Sequence, residues 1–349
     1  MAAMMAADAR AADWTRGRRD RRRRFALATA ALGALAFLLC CAMLLMGNTL
    51  YPVGTVWNAL RGVGEKGVLF AARTIRLPRM LAGLFAGFAF GMAGSVFQTL
   101  LRNPLANPNI IGITSGSSAG AVYCILTLHA GAGAAYASSI AGGMATTLAM
   151  FILSNYRKRF SASRMILVGI GIQAMCNALV SYMLIAARER DVPAATRWLS
   201  GSLNGVRLPE LYPLFAASVV VIPVALLFSG QLRMLELGED AALTLGVRAG
   251  RTRAVLMACA VVLAATATAA TGPIAFVSFL SGPIAKRLAG NGNSHPLPAG
   301  LFGAALTLAS DLAGQFAFEQ RFPVGVVTGI LGAPYLIFLL VRMSGKGEL

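Results

Sequence analysis

The chain carries the sequence FALATAALGALAFLLCCAMLLM at residues 25–46, an apolar run without a single charged residue. A helix of about 20 such residues crosses the hydrocarbon core of a bilayer. Eight arginines precede the run within residues 1–24 and resemble the charged start of a signal peptide. The run is too long for a signal peptide and no A-x-A cleavage site follows it, so residues 25–46 are interpreted as a membrane span.

Similar apolar runs recur along the rest of the chain. Short joints rich in arginine, lysine, glycine and proline separate them, while 57% of the 349 residues are hydrophobic and only 13% are charged. This pattern predicts an all-α polytopic membrane protein with about ten transmembrane helices. The predicted spans are 25–46, 78–101, 110–129, 133–154, 165–187, 210–230, 252–271, 273–289, 299–318 and 325–343. Residues 1–24 and 344–349 are then tails, which the even number of spans puts on one side.

The net charge of +18 resides in the joints and not on one periodic face, which argues against nucleic acid as a partner. With a cytoplasmic N-terminus, 21 of the 31 cations lie inside, among them Arg157, Lys158, Arg159 and Lys346. The positive-inside rule therefore predicts a plasma (inner) membrane protein with both termini cytoplasmic. Without the N-terminal tail the ratio falls to 13 against 10, so this orientation depends heavily on the tail.

Small residues and helix breakers indicate which spans lie inside the bundle. Glycines recur at four-residue spacing in Gly83, Gly87 and Gly91 and again in Gly112, Gly116 and Gly120, which lets helix backbones touch. Pro78, Pro104 and Pro108 bracket the second span, and Gly282-Pro283 is expected to break the eighth. Broken helices at membrane depth survive where protein or a water-filled path covers their backbone.

Several chemistries have weak support in the sequence. No P-loop motif occurs, so any ATP hydrolysis belongs to another chain, and the five cysteines show no metal-ligand spacing, so no cofactor or metal is expected. Residues 116–120 fit the G-x-S-x-G pattern of serine hydrolases. The histidines are only His129 and His295, neither close to Ser118 in the chain, so helix packing is favoured over an intramembrane protease.

Asp311 is the one acidic residue well inside a predicted span, with Gln98, Gln173 and Asn177 as further polar points. Buried charge in a membrane is costly, which makes Asp311 a site candidate. It would serve as a proton relay in a proton-coupled secondary transporter, or as a hydrogen-bonding group between helices. A single carboxylate is weak support for a proton relay, so the second interpretation is favoured.

The inner joint at residues 232–247, LRMLELGEDAALTLGV, predicts two short amphipathic helices with breaks at Gly238 and Gly246. Such helices lie on lipid or in a protein groove. Acidic residues on the polar face disfavour anionic lipid, so a groove in another protein is the better expectation.

The chain resembles the permease subunits of iron-siderophore and cobalamin ABC importers, from about Arg76 to Val341. Seven blocks carry the resemblance in order: 76–79 (RLPR), Gly94 with Gln98, 102–105 (RNPL) with Pro108, 201–205 (GSLNG), 235–246, 272–276 (GPIAF) and 323–328 (PVGVVT). It is most similar to the ferric enterobactin permease subunits that pair with a second, different permease. The resemblance implies a type II ABC importer permease, one of two permease subunits above two ATPase subunits and beneath a periplasmic or lipid-anchored siderophore-binding protein.

The resemblance also implies roles for particular residues, beginning with ATPase coupling through segment 231–251 of the transmembrane domain 25–343. The coupling residues are Leu235, Gly238, Glu239, Ala242, Leu245 and Gly246. A cytoplasmic gate falls at Ser161, Ala162 and Ser163, and docking of the binding protein at Arg76 and Arg79. The translocation path or helix packing is expected to involve Gln98, Asn103, Pro104, Gly116 and Asp311.

Two departures from the family pattern change these expectations. Gln315 stands where the cobalamin permease has a third docking arginine, so Arg321 is expected to substitute, and Gly282-Pro283 replaces a Pro-His pair. The expected substrate is an iron(III)-siderophore, a catecholate such as enterobactin, with hydroxamate siderophore, haem or cobalamin as alternatives. The resemblance implies a heterodimer, although a homodimer would need no change in these residues.

Overall fold

The computed structural model describes residues 2–154, 161–290 and 295–344, and within these ranges the chain is helical and contains no strand. This confirms the predicted all-α class. Arg157, Lys158, Arg159 and Lys346, which contributed to the predicted orientation, and the tail beyond residue 344 lie outside the described residues.

Fifteen α-helices follow one another in these ranges, with one π-helical turn at Phe70–Arg76 between α3 and α4. They are α1 Ala2–Leu45, α2 Val53–Leu60, α3 Lys66–Leu69, α4 Leu77–Leu100, α5 Ile113–Leu126, α6 Ala132–Ser154, α7 Ala162–Ala186, α8 Val192–Leu199, α9 Leu208–Leu227, α10 Ser229–Glu236, α11 Glu239–Thr244, α12 Ala249–Thr271, α13 Val277–Ala289, α14 Pro296–Phe316 and α15 Val324–Ser344.

The long helices run between two ends of one bundle. At the N-terminal end, Phe25 stacks on His295 with 4.3 Å between ring centroids, and Arg102 donates to the carbonyl of Leu235. At the far end, the Ser202 N–H donates to the Thr271 carbonyl. Within the described ranges the chain passes between these ends ten times, and each pass corresponds to a predicted span.

Among the described residues, seven helical stretches are long and apolar enough to cross a membrane. They are 19–45, 66–100, 132–154, 162–186, 208–227, 249–271 and 296–316. The apolar helices of the other three passes are shorter: α5, α13 and the 324–339 part of α15. Short helices of this kind need protein around their ends, because lipid cannot satisfy the exposed backbone groups.

The second span begins earlier than predicted, at Lys66, since α3, the π-helical turn and α4 form one continuous helix. Pro78 was expected to mark the start of this span, which is wrong, because the helix extends beyond it to Lys66. The π-helical turn ends two residues before Pro78. Its wider backbone spacing absorbs the missing N–H and the clash that proline causes in a regular helix.

The eighth span is also interrupted at a different place than predicted. Helix α13 continues through Pro283, so the expected break at Gly282-Pro283 is wrong. The chain instead leaves helical geometry over residues 272–276, where Gly272 has φ 71° and Phe276 has φ 62°. The backbone of this irregular stretch is covered by the segment after α8, since a Cβ on Gly201 would lie within 3 Å of Pro273.

Helix α4 forms the centre of the bundle, and most of its residues are buried against α12, α13 and α14. Its glycines make this packing close. A Cβ placed on Gly87 would lie 2.6 Å from the carbonyl oxygen of Gly303 in α14, and one on Gly94 would overlap the backbone of Ser278 in α13. The predicted interior positions of the second and third spans are confirmed by the burial of α4 and α5.

Candidate functional site

Helices α10 and α11 form a projecting pair at the N-terminal end of the bundle, which we call the coupling segment (residues 229–247). Leu235 and Ala242 are buried at 3% and 0% exposure and belong to the main hydrophobic core. Gly238 joins the two helices with φ 131°, a conformation that favours glycine. The sequence-predicted pair of short helices is therefore confirmed, and two of its apolar residues anchor it to the bundle.

The outer surface of the coupling segment carries three exposed leucines among polar and charged residues. Leu237, Leu243 and Leu245 are exposed at 70%, 54% and 57%. Sequence reasoning identified only Leu245 among these three. The signal for the other two was available in their residue type, since Leu237 and Leu243 are apolar residues of the same stretch 232–247.

Two ion pairs fix the coupling segment to neighbouring helices. Glu239 Oε2 accepts from Arg253 Nη2 of α12 at 2.9 Å, and Glu236 Oε1 accepts from Lys286 Nζ of α13 at 2.6 Å. The two ion pairs thus connect α10 and α11 to α12 and α13, the helices that pack on α4. Gly246 ends the segment with φ 80°.

The residues predicted to form a cytoplasmic gate lie at the start of α7. Ser161 is its N-cap, and its hydroxyl accepts from the Arg164 N–H at 3.4 Å. Ala162 is half-buried and Ser163 is exposed. These short side chains stand at the N-terminal end of the bundle, next to residues outside the described ranges.

Helix α7 has an exposed face of small and polar residues toward its far end. The small and polar residues Gly171, Ala174, Asn177, Ala178 and Ser181 recur there at helical spacing, and the exposed Met175 and Tyr182 lie on the same face. Ser163 falls on the same side, with Leu167 and Ile170 between. An amide facing hydrocarbon is costly, so this face is suited to a polar path or to another protein.

Gln98 connects three parts of the bundle. Its amide nitrogen donates to the carbonyls of Pro104 and Phe279, each at 3.0 Å, and its amide oxygen packs against Gly282. Asn103 accepts from the Leu105 N–H at 2.8 Å and thereby holds the turn after α4. Sequence reasoning left Gln98, Asn103 and Pro104 open between path and packing, and their contacts are those of packing.

Gly116 belongs to the contact between α5 and α6, where a Cβ would overlap Thr146 and the backbone of Gly142. The neighbouring Ser118 is buried in α5, and His129 lies 3.7 Å from a carboxylate oxygen of Asp191. The G-x-S-x-G pattern is therefore a packing motif. Among the described residues no group of three metal-ligating side chains occurs.

Asp311 is 1% exposed and forms a two-pronged ion pair with Arg79, one helix away in α4. Arg79 Nε and Nη2 lie 2.8 and 2.9 Å from the two carboxylate oxygens, and Gln315 Nε2 donates to one of them at 2.8 Å. Asp311 thus connects α14 to α4. Its arginine partner was missed, because Arg79 was expected at the docking surface.

Arg76 is likewise turned inward, at 9% exposure. Its guanidinium donates to the carbonyls of Leu44, Leu45 and Thr49 at 2.7–2.9 Å and lies over the ring of Tyr51. A cation at the C-terminal carbonyls of α1 completes that helix end and interacts favourably with its dipole.

Arg321 is exposed at the far end, in the loop between α14 and α15, where it bonds to Asn48. Other exposed cations surround it at that end: Arg61, Lys66, Arg73, Arg188, Arg190, Arg197 and Arg207. Fewer acidic residues are present there: Glu65, Glu189, Asp191, Glu210 and Glu319. The far end therefore presents a positive surface.

Comparisons with known proteins give one consistent answer. Residues 34–342 match the model of the FecCD transport family. The chain is 36% identical to the ferric enterobactin transport system permease protein FepG of Escherichia coli (86% of this chain, 91% of that protein) and 32% identical to the achromobactin transport system permease protein CbrC of Dickeya dadantii (94% and 96%). A solved chain described as an inward-facing metal-chelate type ABC transporter superposes with a TM-score of 0.78 at 27% identity, covering 91% of this chain and 99% of that one.

Proposed function

The chain belongs to the FecCD transport family, and from that premise we propose that it is the membrane permease subunit of an ABC importer that moves an iron(III)-siderophore into the cytoplasm. The 36% identity to an enterobactin permease makes a catecholate siderophore the proposed substrate. The chain itself supplies no catalytic step; a separate pair of ATPase subunits hydrolyses ATP.

The observation that carries the coupling role is the exposed apolar surface of Leu237, Leu243 and Leu245 beside the buried anchors Leu235 and Ala242. A knob of short helices with this pattern fits a hydrophobic groove in a partner protein. We assign that groove to the ATPase. Closure of the ATPase dimer would push the coupling segment and, through Glu239–Arg253 and Glu236–Lys286, helices α12 and α13.

The positive far end supports docking of an acidic binding protein there, which makes that end periplasmic and both termini cytoplasmic. The basic N-terminal part of α1 is consistent with this orientation. In the resulting cycle of alternating access, the loaded binding protein docks on the far end, the path opens, and ATP-driven movement of the coupling segment resets the helices.

The small and polar face of α7 supports a second permease subunit. Asn177 and Ser181 are exposed in a membrane helix, where contact of polar side chains with lipid is unfavourable. This cost is avoided if the face lines the path shared by two subunits. Ser163 on the same side of α7 would then lie at the cytoplasmic gate. The relation to an enterobactin permease favours a different chain as the partner.

The substrate is tested by uptake of radioactive iron into proteoliposomes that hold this chain with its partner permease, ATPase and binding protein. We expect uptake of ferric enterobactin that requires both ATP and the binding protein. Ferric citrate, achromobactin and a hydroxamate chelate are the comparison substrates, because relatives named for these chelates are 32–33% identical to this chain. Transport of one of them in place of enterobactin would keep the class and change the substrate.

The coupling role is tested separately by Leu245→Asp. A charge at this 57% exposed position should abolish ATP-dependent uptake while leaving the chain folded, since Leu245 lies outside the core. Arg22→Gln is the matched control, because it also lowers the charge by one unit at an exposed position of the N-terminal end, outside the coupling segment. Uptake at the wild-type rate by the Leu245→Asp protein would contradict the assigned contact with the ATPase.

A further inference from the structure

The basic part of α1 borders a groove at the N-terminal end that none of the preceding roles uses. This groove of about 430 Å³ lies between α1 and the last turn of α13. Its mouth is formed by Asp20, Arg23 and Arg24, and its floor by Leu27, Ala28, Ala31 and Leu288. We define these residues as the Arg23/Arg24 groove.

The groove follows one face of α1. Positions 20, 23, 24, 27, 28 and 31 recur at three- and four-residue spacing, so they form a single stripe. From Arg23 to Ala31 this stripe extends about 12 Å along the helix axis. The charged residues lie at the N-terminal end of the stripe, at positions 20, 23 and 24, and its remaining residues are apolar. A lipid has the same order of groups, with a charged headgroup followed by apolar acyl chains.

The position of the groove along the helix agrees with that profile. Arg24 immediately precedes Phe25, the first residue of the predicted span, so both arginines stand where the inner headgroups of a bilayer lie. Arg23, Arg24 and Arg287 are all exposed. Arg24 also packs its guanidinium against Gly290 at the C-terminus of α13, which holds it over the groove.

We propose that the Arg23/Arg24 groove binds an anionic phospholipid of the inner leaflet. The two guanidinium groups would bind the lipid phosphate, and an acyl chain would lie along Leu27, Ala28, Ala31 and Leu288. A basic pocket between membrane helices on the cytoplasmic side is a typical site for an anionic headgroup. A nucleic acid or an acidic protein would make no use of an apolar floor that continues into the span.

The experiment titrates the purified full-length permease complex in detergent with phosphatidylglycerol or phosphatidylcholine of identical chains and counts bound lipids by native mass spectrometry. Arg23→Gln with Arg24→Gln should weaken phosphatidylglycerol binding by about tenfold and leave phosphatidylcholine unchanged. Asp20→Asn should strengthen phosphatidylglycerol binding by about fivefold, since Asp20 is the one acid at the mouth.

Arg21→Gln with Arg22→Gln is the matched control, because it removes the same charge from two adjacent residues of the same helix that do not line the groove. An equal loss in this control would overturn the proposal, since it would show only diffuse attraction.

Ala31→Trp keeps every charge but fills the exposed floor. It should lower phosphatidylglycerol binding while leaving binding of the chain-free headgroup glycerophosphoglycerol unchanged; unaltered lipid binding would overturn the acyl-chain site. Elution as a monodisperse complex verifies that each variant is folded.

Discussion

Asp311 is tolerated inside a membrane bundle because three hydrogen bonds satisfy its carboxylate, two from Arg79 and one from Gln315. Burial of both charged groups is costly, and the cost is offset only while they remain paired. The sequence predicted that Asp311 would bond between helices. It could not supply the partner, because 232 residues separate Arg79 from Asp311 and a long arginine side chain can point either outward or along its own helix.

Asp311→Asn should destabilise the protein by about 3–5 kcal/mol, because Arg79 would keep a buried charge without a counter-charge. Arg79→Gln combined with Asp311→Asn should cost less than the sum of the single changes. Denaturant unfolding in detergent measures both. The control is Arg207→Gln, which removes a 68% exposed partner of Glu210 and should cost less than about 1 kcal/mol. If the losses of unfolding free energy in the two single variants simply add up in the double variant, the pairing is contradicted.

At the scale of helices, close contact between α4 and α14 depends on glycine. The periodic glycines predicted that α4 lies inside the bundle, because a residue without Cβ lets two backbones approach, but they did not predict α14 as its partner. Helix ends were predicted less well. The π-helical turn before Pro78 and the left-handed Phe276 arise from packing around them, and neither leaves a pattern in the local sequence.

Gly87→Ala should destabilise the bundle by about 1–3 kcal/mol, because the new methyl group would lie 2.6 Å from the Gly303 carbonyl oxygen and 2.8 Å from the Ala304 Cα. Gly33→Ala is the control in α1, where nothing lies within 4 Å of the added Cβ. There the better helix propensity of alanine should stabilise by up to about 1 kcal/mol. Thermal unfolding in detergent compares them, and equal midpoints would contradict the close contact.

At the scale of the whole molecule, the sequence predicted ten passes, a projecting coupling segment and a set of cations at the far end. It did not predict which of those cations face outward. Arg76 and Arg79 were expected to dock a partner. Residue Arg76 is only 9% exposed and the side chain of Arg79 only 13% exposed, and both guanidinium groups bond within the bundle. The orientation of these two arginine side chains depends on the carbonyls at the C-terminus of α1 and on Asp311. Folding alone brings these groups close to the arginines.

This distribution of charge predicts which arginines control docking of an acidic binding protein. Arg73→Glu with Arg321→Glu should slow association by about tenfold at low salt, since both side chains are exposed at the far end, and the difference should shrink as salt rises. Arg21→Glu with Arg22→Glu changes the same charge at the opposite end and should leave the association rate unchanged. Stopped-flow fluorescence with labelled binding protein measures each rate across a salt series.

Arg76→Met provides the opposite expectation for a buried cation. It removes the donors to Leu44, Leu45 and Thr49, so it should lower the stability of the contact between α1 and α4 while leaving the association rate unchanged. The loss should be about 2–4 kcal/mol, since three carbonyls lose a charged donor. If Arg76→Met instead slows association as much as the exposed pair does, then Arg76 leaves its position at the end of α1 to reach the partner, and the positive surface of the far end is larger in the docked complex than in the isolated chain.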